Sequence, residues 1–188
     1  MTPQSAMPWY EAAGGDVVYT PDRATDALVD SSMGPPMGLI RDPYAGNGAI
    51  LKRLIGRGWD REQLYANEIR QEERAGLEDL LDPERVLIKD FIADVQLFSL
   101  DEIPIVTNVP FSRSIDAMEA CLSTNPPYFA TLIPIEELAG VKRATWFNDN
   151  KPTGIVSLSF RVWGGSRGIV WAVWDRTRGR GLMNLEIV

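Results

Sequence analysis

The sequence predicts an α/β domain with a doubly wound, mostly parallel sheet of seven strands that closes in an antiparallel hairpin. Two patterns predict this fold. Short apolar segments with strand character alternate five times with helical segments, which is the order of parallel β-α-β units with helices on both faces. The apolar segments 154–163 and 168–175 are then joined by the turn GGSRG, which indicates a hairpin.

The elements can be placed in order along the chain. Residues 1–16 are expected to be poorly ordered, and residues 17–188 to form one domain. Thr20 is a suitable N-cap and Pro21 a suitable first residue for a short helix that ends near Ser31. Strands are expected at 39–42, 63–68, 85–90, 103–110 and 128–135, and helices at 48–58, 72–81, 114–124 and 136–149.

Composition restricts the chemistry. The 188 residues, 45% of them hydrophobic, suit a single domain. There is no histidine and only one cysteine, Cys121, so a Ser-His-Asp triad, a Cys-His pair, a zinc site of the usual His/Cys kind and an internal disulfide are all excluded. Catalysis must use carboxylates, amides, aromatic rings, backbone groups or a cofactor, and no metal is expected.

The same features suggest a location. A single cysteine fits a reducing compartment. No apolar run approaches the roughly 20 residues that span a bilayer, and the first residues lack the pattern of a signal peptide. We therefore expect a cytoplasmic protein that does not bind membranes.

Charge is distributed unevenly. The net charge is −7, but residues 141–188 carry eight Lys/Arg and three Asp/Glu. An acidic body with a basic C-terminal quarter predicts a local contact with an anionic partner, although a solvated surface with chance asymmetry is the simpler alternative.

Polar side chains end the first four predicted strands: Asp42, Glu68, Asp90 and Asn108. In open α/β sheets, ligands bind outside the carboxyl ends of the strands. We therefore expect these four side chains to border one site.

The loop RDPYAGNGAI follows the first strand and contains Gly46 and Gly48, which allow a tight turn and close approach of a ligand. The third glycine of a dinucleotide fingerprint is absent, since Leu51 occupies its place. Asp42 would repel a pyrophosphate, so a ligand with a positive centre suits the loop better. Glu68, about 20 residues further on, is placed to hold ribose hydroxyls.

The segment DPYAGNG resembles the Asp-Pro-x-x-Gly-x-Gly signature of class I methyltransferases, which bind S-adenosylmethionine. The resemblance extends over residues 20–175. It implies that the loop lies against the cofactor, that Glu68 holds the ribose, and that Asp90 and Phe91 meet the adenine. The cofactor-binding residues it implies are Thr20, Pro21, Asp42, Pro43, Tyr44, Ala45, Gly46, Gly48, Glu68, Asp90, Phe91 and Asn108.

The segment NVPF, residues 108–111, resembles the (Asp/Asn/Ser)-Pro-Pro-aromatic motif of methyltransferases that modify amino groups of nucleobases. An exocyclic amine is a poor nucleophile because its lone pair is delocalised. Hydrogen bonds to the Asn108 oxygen and a backbone carbonyl would direct that lone pair at the methyl group without a general base. Pro110 fixes the backbone and Phe111 offers a ring on which an extruded base can stack. Val109 replaces the first proline, and an aliphatic residue at this place resembles the Asn-(Ile/Leu)-Pro-(Tyr/Phe) version that is typical of ribosomal-RNA adenine dimethyltransferases.

The C-terminal part, with a Lys-Arg helix and a Trp-rich strand ending in Trp-Asp, resembles small phage-type DNA adenine methyltransferases, which implies a bacterial or phage-infected host cell. The sequence therefore predicts methylation of the adenine N6 amino group in DNA. No block large enough to read a DNA sequence is evident, so specificity would be short-range or supplied by a second subunit or a partner protein. The basic residues that could contact phosphates are Arg113, Lys142, Arg143, Arg167, Arg176, Arg178 and Arg180.

Other hypotheses remain open on the sequence. The same chemistry could act on RNA, which Val109 favours. The chain could bind S-adenosylmethionine without catalysis, as a partner or decoy. A nicotinamide-dependent oxidoreductase is a third alternative, although the missing glycine and Asp42 count against it. An ordinary turn, with Asn108 bonded to backbone and Phe111 in the core, is the simplest explanation of NVPF.

Overall fold

The computed structural model describes residues 18–98, 102–138, 141–159, 168–178 and 184–187. Within these ranges one eight-stranded sheet has the order β3-β2-β1-β4-β5-β7-β6-β8. Its strands are β1 (Ile40–Asp42), β2 (Leu64–Glu68), β3 (Val86–Ile88), β4 (Ile105–Thr107), β5 (Tyr128–Pro134), β6 (Gly154–Ser157), β7 (Ile169–Asp175) and β8 (Asn184–Ile187). The helices are α1 (Asp22–Asp30), α2 (Ala49–Gly56), α3 (Arg74–Leu80), α4 (Ser114–Ser123) and α5 (Val141–Asp149).

Two apolar layers enclose the sheet. Helices α1, α2 and α3 pack in one core cluster with the β5 residues Tyr128, Ala130 and Leu132. Helices α4 and α5 pack in a second cluster with the intervening β5 residues Phe129 and Ile133. Because successive side chains of a strand point to opposite faces, the fully buried sequence of β5 serves both layers.

The predicted fold class is confirmed. Strands β1 to β5 are parallel, and β7 runs antiparallel between β5 and β6. One strand was not predicted: β8 pairs parallel with β6 and adds an eighth strand. Three predicted features lie wholly or partly outside the described residues: the segment 1–16, the end of the predicted strand 154–163 and most of the turn 164–168.

Two helix starts differ from the sequence prediction. The N-cap of α1 is Pro21 in extended conformation, without a side-chain cap, whereas Thr20 is buried one residue earlier. The expected helix 136–149 is divided, because a 3₁₀ turn occupies Ile135–Leu138 and α5 begins at Val141. Local capping signals were therefore overridden by the packing of the chain against the sheet.

The strand order places a crevice between β1 and β4. The connections from β1 lead to β2 and β3 on one side, and the chain then returns to β4 on the other side of β1. Arg41 is the register partner of Ile105, so both strands end at the same edge of the sheet. Such a reversal of strand order is where ligands bind in doubly wound folds. Asp42 and Asn108 immediately border it.

Gly48 is required by packing between α2 and α3. It has φ of 77°, and a Cβ there would lie 2.9 Å from Leu80 Cδ2 and 3.1 Å from Leu77 Cδ2. We expect Gly48→Ala to lower the free energy of unfolding by about 2–4 kcal/mol, from backbone strain plus overpacking. Urea denaturation would measure it. Gly58→Ala is the control, because Gly58 has φ of 102° with open space around it. This variant should lose only about 1–2 kcal/mol, from backbone strain without overpacking.

Candidate cofactor and substrate site

A cavity of about 230 Å³ lies at the crevice between β1 and β4. It includes Tyr44 and Gly46 from the glycine loop, Glu68 from the end of β2, and the segment Asn108–Phe111. The structure therefore brings together three of the segments that the sequence singled out. Four further residues that sequence reasoning missed also line it: Val18, Tyr19, Ile69 and Arg70.

The loop after β1 is held by Asn67, a buried residue of β2. The Asn67 carbonyl accepts the Ala45 N–H at 2.9 Å, and its Nδ2 donates to the Pro43 carbonyl at 3.2 Å and the Lys89 carbonyl at 3.0 Å. Gly46, with φ of 55°, donates its N–H to Glu68 Oε2 at 2.7 Å. A buried amide thus ties the ends of β1, β2 and β3 together and fixes the backbone that borders the cavity.

Glu68 is buried and both of its carboxylate oxygens accept hydrogen bonds. Oε2 accepts from Gly46, while Oε1 accepts the N–H groups of Ile69 and Arg70, each at 3.0 Å. The Arg70 Nε also donates to Oε1 at 3.1 Å. The carboxylate is therefore a fixed acceptor in the cavity wall.

Asp42 lies beneath the loop and outside the cavity lining. It is only 1% exposed, and accepts from the Thr107 hydroxyl at 2.6 Å and the Tyr44 N–H at 3.2 Å. Burial is the main cause that raises the pKa of its carboxyl to about 7; the two hydrogen bonds oppose this shift, and the nearby charge of Glu68 adds to it. Asp42 supports the loop and carries a proton at acidic pH.

This raised pKa predicts a pH-dependent stability. An unfolded aspartate has a pKa of about 4, so between pH 4 and 7 the unfolded chain loses the proton first and folding becomes less favourable as pH rises. We expect Asp42→Asn to be more stable than the native chain at pH 8, with the advantage shrinking by on the order of 2 kcal/mol at pH 5. Thermal denaturation at both pH values would show it. The same change at the exposed Asp79 is the control. An equal difference in stability between Asp42→Asn and the native chain at both pH values would contradict a raised pKa of Asp42.

Asn108 presents an unpaired acceptor at the end of β4. Its Nδ2 donates to the Val18 carbonyl at 3.0 Å, an atom that can only accept, so the amide orientation follows and Oδ1 is the free end. Oδ1 is buried and has no hydrogen-bond partner among the described residues. The hydroxyl of Tyr44, another residue of the cavity wall, is also buried without such a partner. A buried acceptor without a donor is costly unless a ligand supplies one.

The residues after Asn108 divide between core and cavity. Val109 lines the cavity but is almost fully buried in the second core cluster, while Pro110 and Phe111 are half-buried at the cavity. The Pro110 carbonyl accepts the Arg113 N–H at 3.1 Å, which closes a tight turn. Phe111 therefore has part of its ring available to a ligand.

The start of α4 is anchored by a buried carboxylate. Glu137, which is 3% exposed, accepts the Ser114 hydroxyl at 2.6 Å and pairs with Arg143 of α5 at 2.8 Å. These contacts hold the turn that follows Phe111 against the segment after β5. The Arg143 side chain is 40% exposed, so this ion pair adds little stability, and the buried Glu137–Ser114 hydrogen bond is the more specific contact.

Two residues expected at the cofactor, Asp90 and Phe91, do not line this cavity. Asp90 Oδ1 accepts the N–H groups of Ile92 and Ala93 and so fixes the turn after β3, while the side chain stays 33% exposed. The expected contact of the Phe91 ring with adenine is corrected, because Phe91 is 1% exposed and packs against Tyr44 and Phe98. Burial of Phe91 follows from tertiary packing that a strand-end pattern does not reveal.

Thr20 and Pro21, which were expected to bind the cofactor, also lie apart from the cavity. Thr20 is buried and Pro21 caps α1, and neither lines it. Val18 and Tyr19, immediately before them, take the expected place at the cavity.

The basic residues are spread over both edges of the sheet. Arg113 lies just after Phe111, with carboxylate oxygens of Asp116 and Asp90 at 3.6 and 3.9 Å. Arg176 and Arg178 follow Asp175, which is paired with Tyr128 at the amino end of β5, so they lie at the opposite edge from Asn108. Arg167, Arg180 and the side chain of Lys142 lie outside the described residues.

Two other features are absent from the part of the chain that the structure describes. No group of three acidic or Cys side chains there is arranged to hold a metal ion. No helix there is long and apolar enough to cross a membrane.

Known structures share this architecture. A Listeria monocytogenes protein provisionally assigned as a class I S-adenosylmethionine-dependent methyltransferase superimposes with a TM-score of 0.61 at 14% identity, over 89% of this chain and 62% of the other. A modification subunit provisionally assigned to a type I restriction enzyme of Vibrio vulnificus gives 0.64 at 15% identity, over 93% and 47%. The chain has the class I methyltransferase fold.

A third structure extends the comparison. The M protein of the type I restriction enzyme EcoKI superimposes with a TM-score of 0.61 at 13% identity, over 82% of this chain and 43% of the other. This chain therefore spans roughly two fifths to three fifths of the length of these three neighbours. No family profile and no curated protein sequence matches it. The likeness establishes the fold, and the site must supply the argument for function.

Proposed function

We propose that this protein transfers a methyl group from S-adenosylmethionine to the exocyclic N6 amino group of adenine in nucleic acid, with DNA the favoured polymer. The observation that carries the proposal is the unpaired, buried Oδ1 of Asn108, at the end of β4 in the wall of a cavity shared with Gly46 and Glu68. An acceptor oxygen without a partner, on a residue that lines the same cavity as Gly46 and Glu68, supports an amine pocket beside a nucleoside cofactor.

The cavity residues fit such a cofactor. Glu68 offers carboxylate oxygens to ribose hydroxyls. Gly46 has no side chain, so its backbone is accessible to a ligand in the cavity. Ile69, which is 61% exposed in the cavity wall, supplies the apolar surface for adenine in place of the buried Phe91. When bound, S-adenosylmethionine would supply a methyl group activated by a sulfonium.

The chain's own residues orient the acceptor amine. Asn108 Oδ1 accepts one N–H of that amine, and a main-chain carbonyl of the same turn accepts the other, so that the nitrogen lone pair is directed away from the ring. The hydrogen bond from Asn108 Nδ2 to the Val18 carbonyl fixes the amide plane in advance. This is catalysis by positioning, and it suits a chain without histidine because no general base of matched pKa is required.

The acceptor base must leave its stack to reach this pocket. Phe111 offers a stacking surface, which is worth roughly 1–3 kcal/mol for a base on an aromatic ring. Arg113, half-exposed beside it, can contact the backbone of the polymer. DNA is favoured because a modification subunit assigned to a type I restriction enzyme and the M protein of EcoKI are among the structural neighbours.

Cofactor binding is the first test. Calorimetric titration with S-adenosylmethionine and with NAD should show saturable binding of the former and none of the latter. Preferential binding of NAD would instead support the oxidoreductase alternative. Binding of S-adenosylmethionine without transfer to DNA or RNA would leave a non-catalytic binding protein as the better description.

A further inference from the structure

Arg70 occupies the acceptor that the proposed cofactor needs. Its Nε lies 3.1 Å from Glu68 Oε1, and its Nη1 lies 3.1 Å from Glu73 Oε1. Glu68 Oε2 is already bonded to Gly46, so in this structure the carboxylate has both oxygens in use. The other donors to Oε1 are the main-chain N–H groups of Ile69 and Arg70, so among the described residues the guanidinium is the one side-chain donor whose departure would let a ribose hydroxyl bind this oxygen.

Tyr19 contacts Glu73, the second carboxylate that binds Arg70. The Tyr19 hydroxyl donates to Glu73 Oε1 at 2.9 Å, the oxygen that also meets Arg70. A Cβ built on Gly46 would have Arg70 Nη2 at 3.6 Å and the Tyr19 ring at 3.7 Å as its nearest neighbours. The two side chains therefore converge on the exposed face of the glycine loop.

We propose that Arg70, Tyr19 and Glu73 form a latch that sets how readily a nucleoside ligand reaches Glu68. The proposal rests on the proposed function, because it takes the ligand to be a nucleoside with a free ribose diol. The diol and the guanidinium are both donors, and they compete for the same carboxylate. The binding-competent population is the fraction of molecules in which Arg70 has left Glu68, and the apparent affinity is reduced by that fraction.

The latch contacts are weak enough to open spontaneously. Arg70 and Glu73 are partly exposed, and ion pairs of this kind change an equilibrium by a factor of about two to five. Loop and side-chain closures over ligand sites open on a microsecond to millisecond timescale. Loosening the latch should therefore raise the association rate and leave the dissociation rate unchanged, since the ligand contacts in the bound state are the same.

Stopped-flow binding of S-adenosylmethionine and of adenosine tests the latch without any need for methyl transfer. Tyr19→Phe removes only the hydroxyl, and Glu73→Gln removes the shared carboxylate charge. Each should lower Kd about two- to fivefold through a faster association. Arg70→Ala, which removes the competitor, should have the largest effect. Glu72→Gln is the matched control, since it makes the same charge change on the adjacent, exposed residue and should leave Kd unchanged.

The outcomes separate the latch from the proposed function. Tighter binding in the three variants supports the latch, whether or not the protein methylates a nucleic acid. Unchanged or weaker binding of both ligands would overturn it, because Arg70 would then be neutral or part of the ligand contact, while methyl transfer by the native chain would still support the function. Failure of both ligands to bind the native chain and every variant would overturn the latch and the proposed cofactor together.

Discussion

Asn108→Ala is expected to lower methyl transfer to adenine by a factor on the order of 100 to 1,000 while leaving S-adenosylmethionine binding within a few-fold of the native value. The reason is that Oδ1, the buried acceptor without a partner, positions the amine and does not hold the cofactor's ribose. Single-turnover rates with saturating cofactor, together with calorimetric Kd values, would measure the two effects separately.

Asn108→Asp is the conservative comparison. It keeps an acceptor oxygen but loses the donor to the Val18 carbonyl, so it should retain more activity than alanine and less than asparagine. Asn125→Ala serves as the matched control, because Asn125 is exposed after α4, at the amino end of β5 and away from the cavity. Equal rates for the native chain and Asn108→Ala would contradict the role given to this amide.

Glu68→Gln is expected to weaken S-adenosylmethionine binding by about ten- to a hundredfold. The carboxylate offers two charged acceptor oxygens. In glutamine one of them is replaced by an NH₂ group, and this donor would then face the N–H donor of Gly46 or Ile69. Hydrogen bonds to a charged group contribute about 1.5–3 kcal/mol each, which corresponds to that range. Equilibrium dialysis with labelled cofactor would measure Kd.

The control for Glu68 is the same change at Glu73. Both glutamates contact Arg70, so loss of an Arg70 partner is common to the two variants. Glu73 does not line the cavity, and its replacement should tighten binding rather than weaken it. Weakening of similar size in both variants would mean that Arg70 placement, and not the Glu68 acceptor, determines the affinity.

Much of the fold followed from local pattern. The polar residues Asp42, Glu68, Asp90 and Asn108 mark strand ends because the chain leaves the apolar interior there, and parallel strands bring those ends to one edge. The glycine loop and NVPF could be placed for the same reason. Strand β8 was missed although glycines at 179 and 181 precede it, because its parallel pairing with β6 is not a local feature of the sequence.

The parts that sequence reasoning missed depend on tertiary contacts. Phe91 follows the strand-end acid Asp90 in sequence, and only its packing against Tyr44 and Phe98 shows that its ring is buried. Arg176 was grouped with the other basic residues, and only the register of Asp175 with Tyr128 places it at the far edge of the sheet. The positions after Glu68 carry a weak signal, because residues that follow a strand-end acid are also candidates for the cavity wall. Ile69 and Arg70 could have been found in this way.

The most direct test is to incubate the native chain with labelled S-adenosylmethionine and, side by side, duplex DNA, single-stranded DNA and structured RNA, and then to identify the methylated nucleoside by mass spectrometry after digestion. The prediction is N6-methyladenine, with DNA the better substrate and product formation by Asn108→Ala lower by a factor on the order of 100 to 1,000. Label on the oxygen of a small molecule or on another base, or N6-methyladenine formed equally by the Asn108→Ala variant, would contradict the assignment of NVPF as the pocket for the adenine amine.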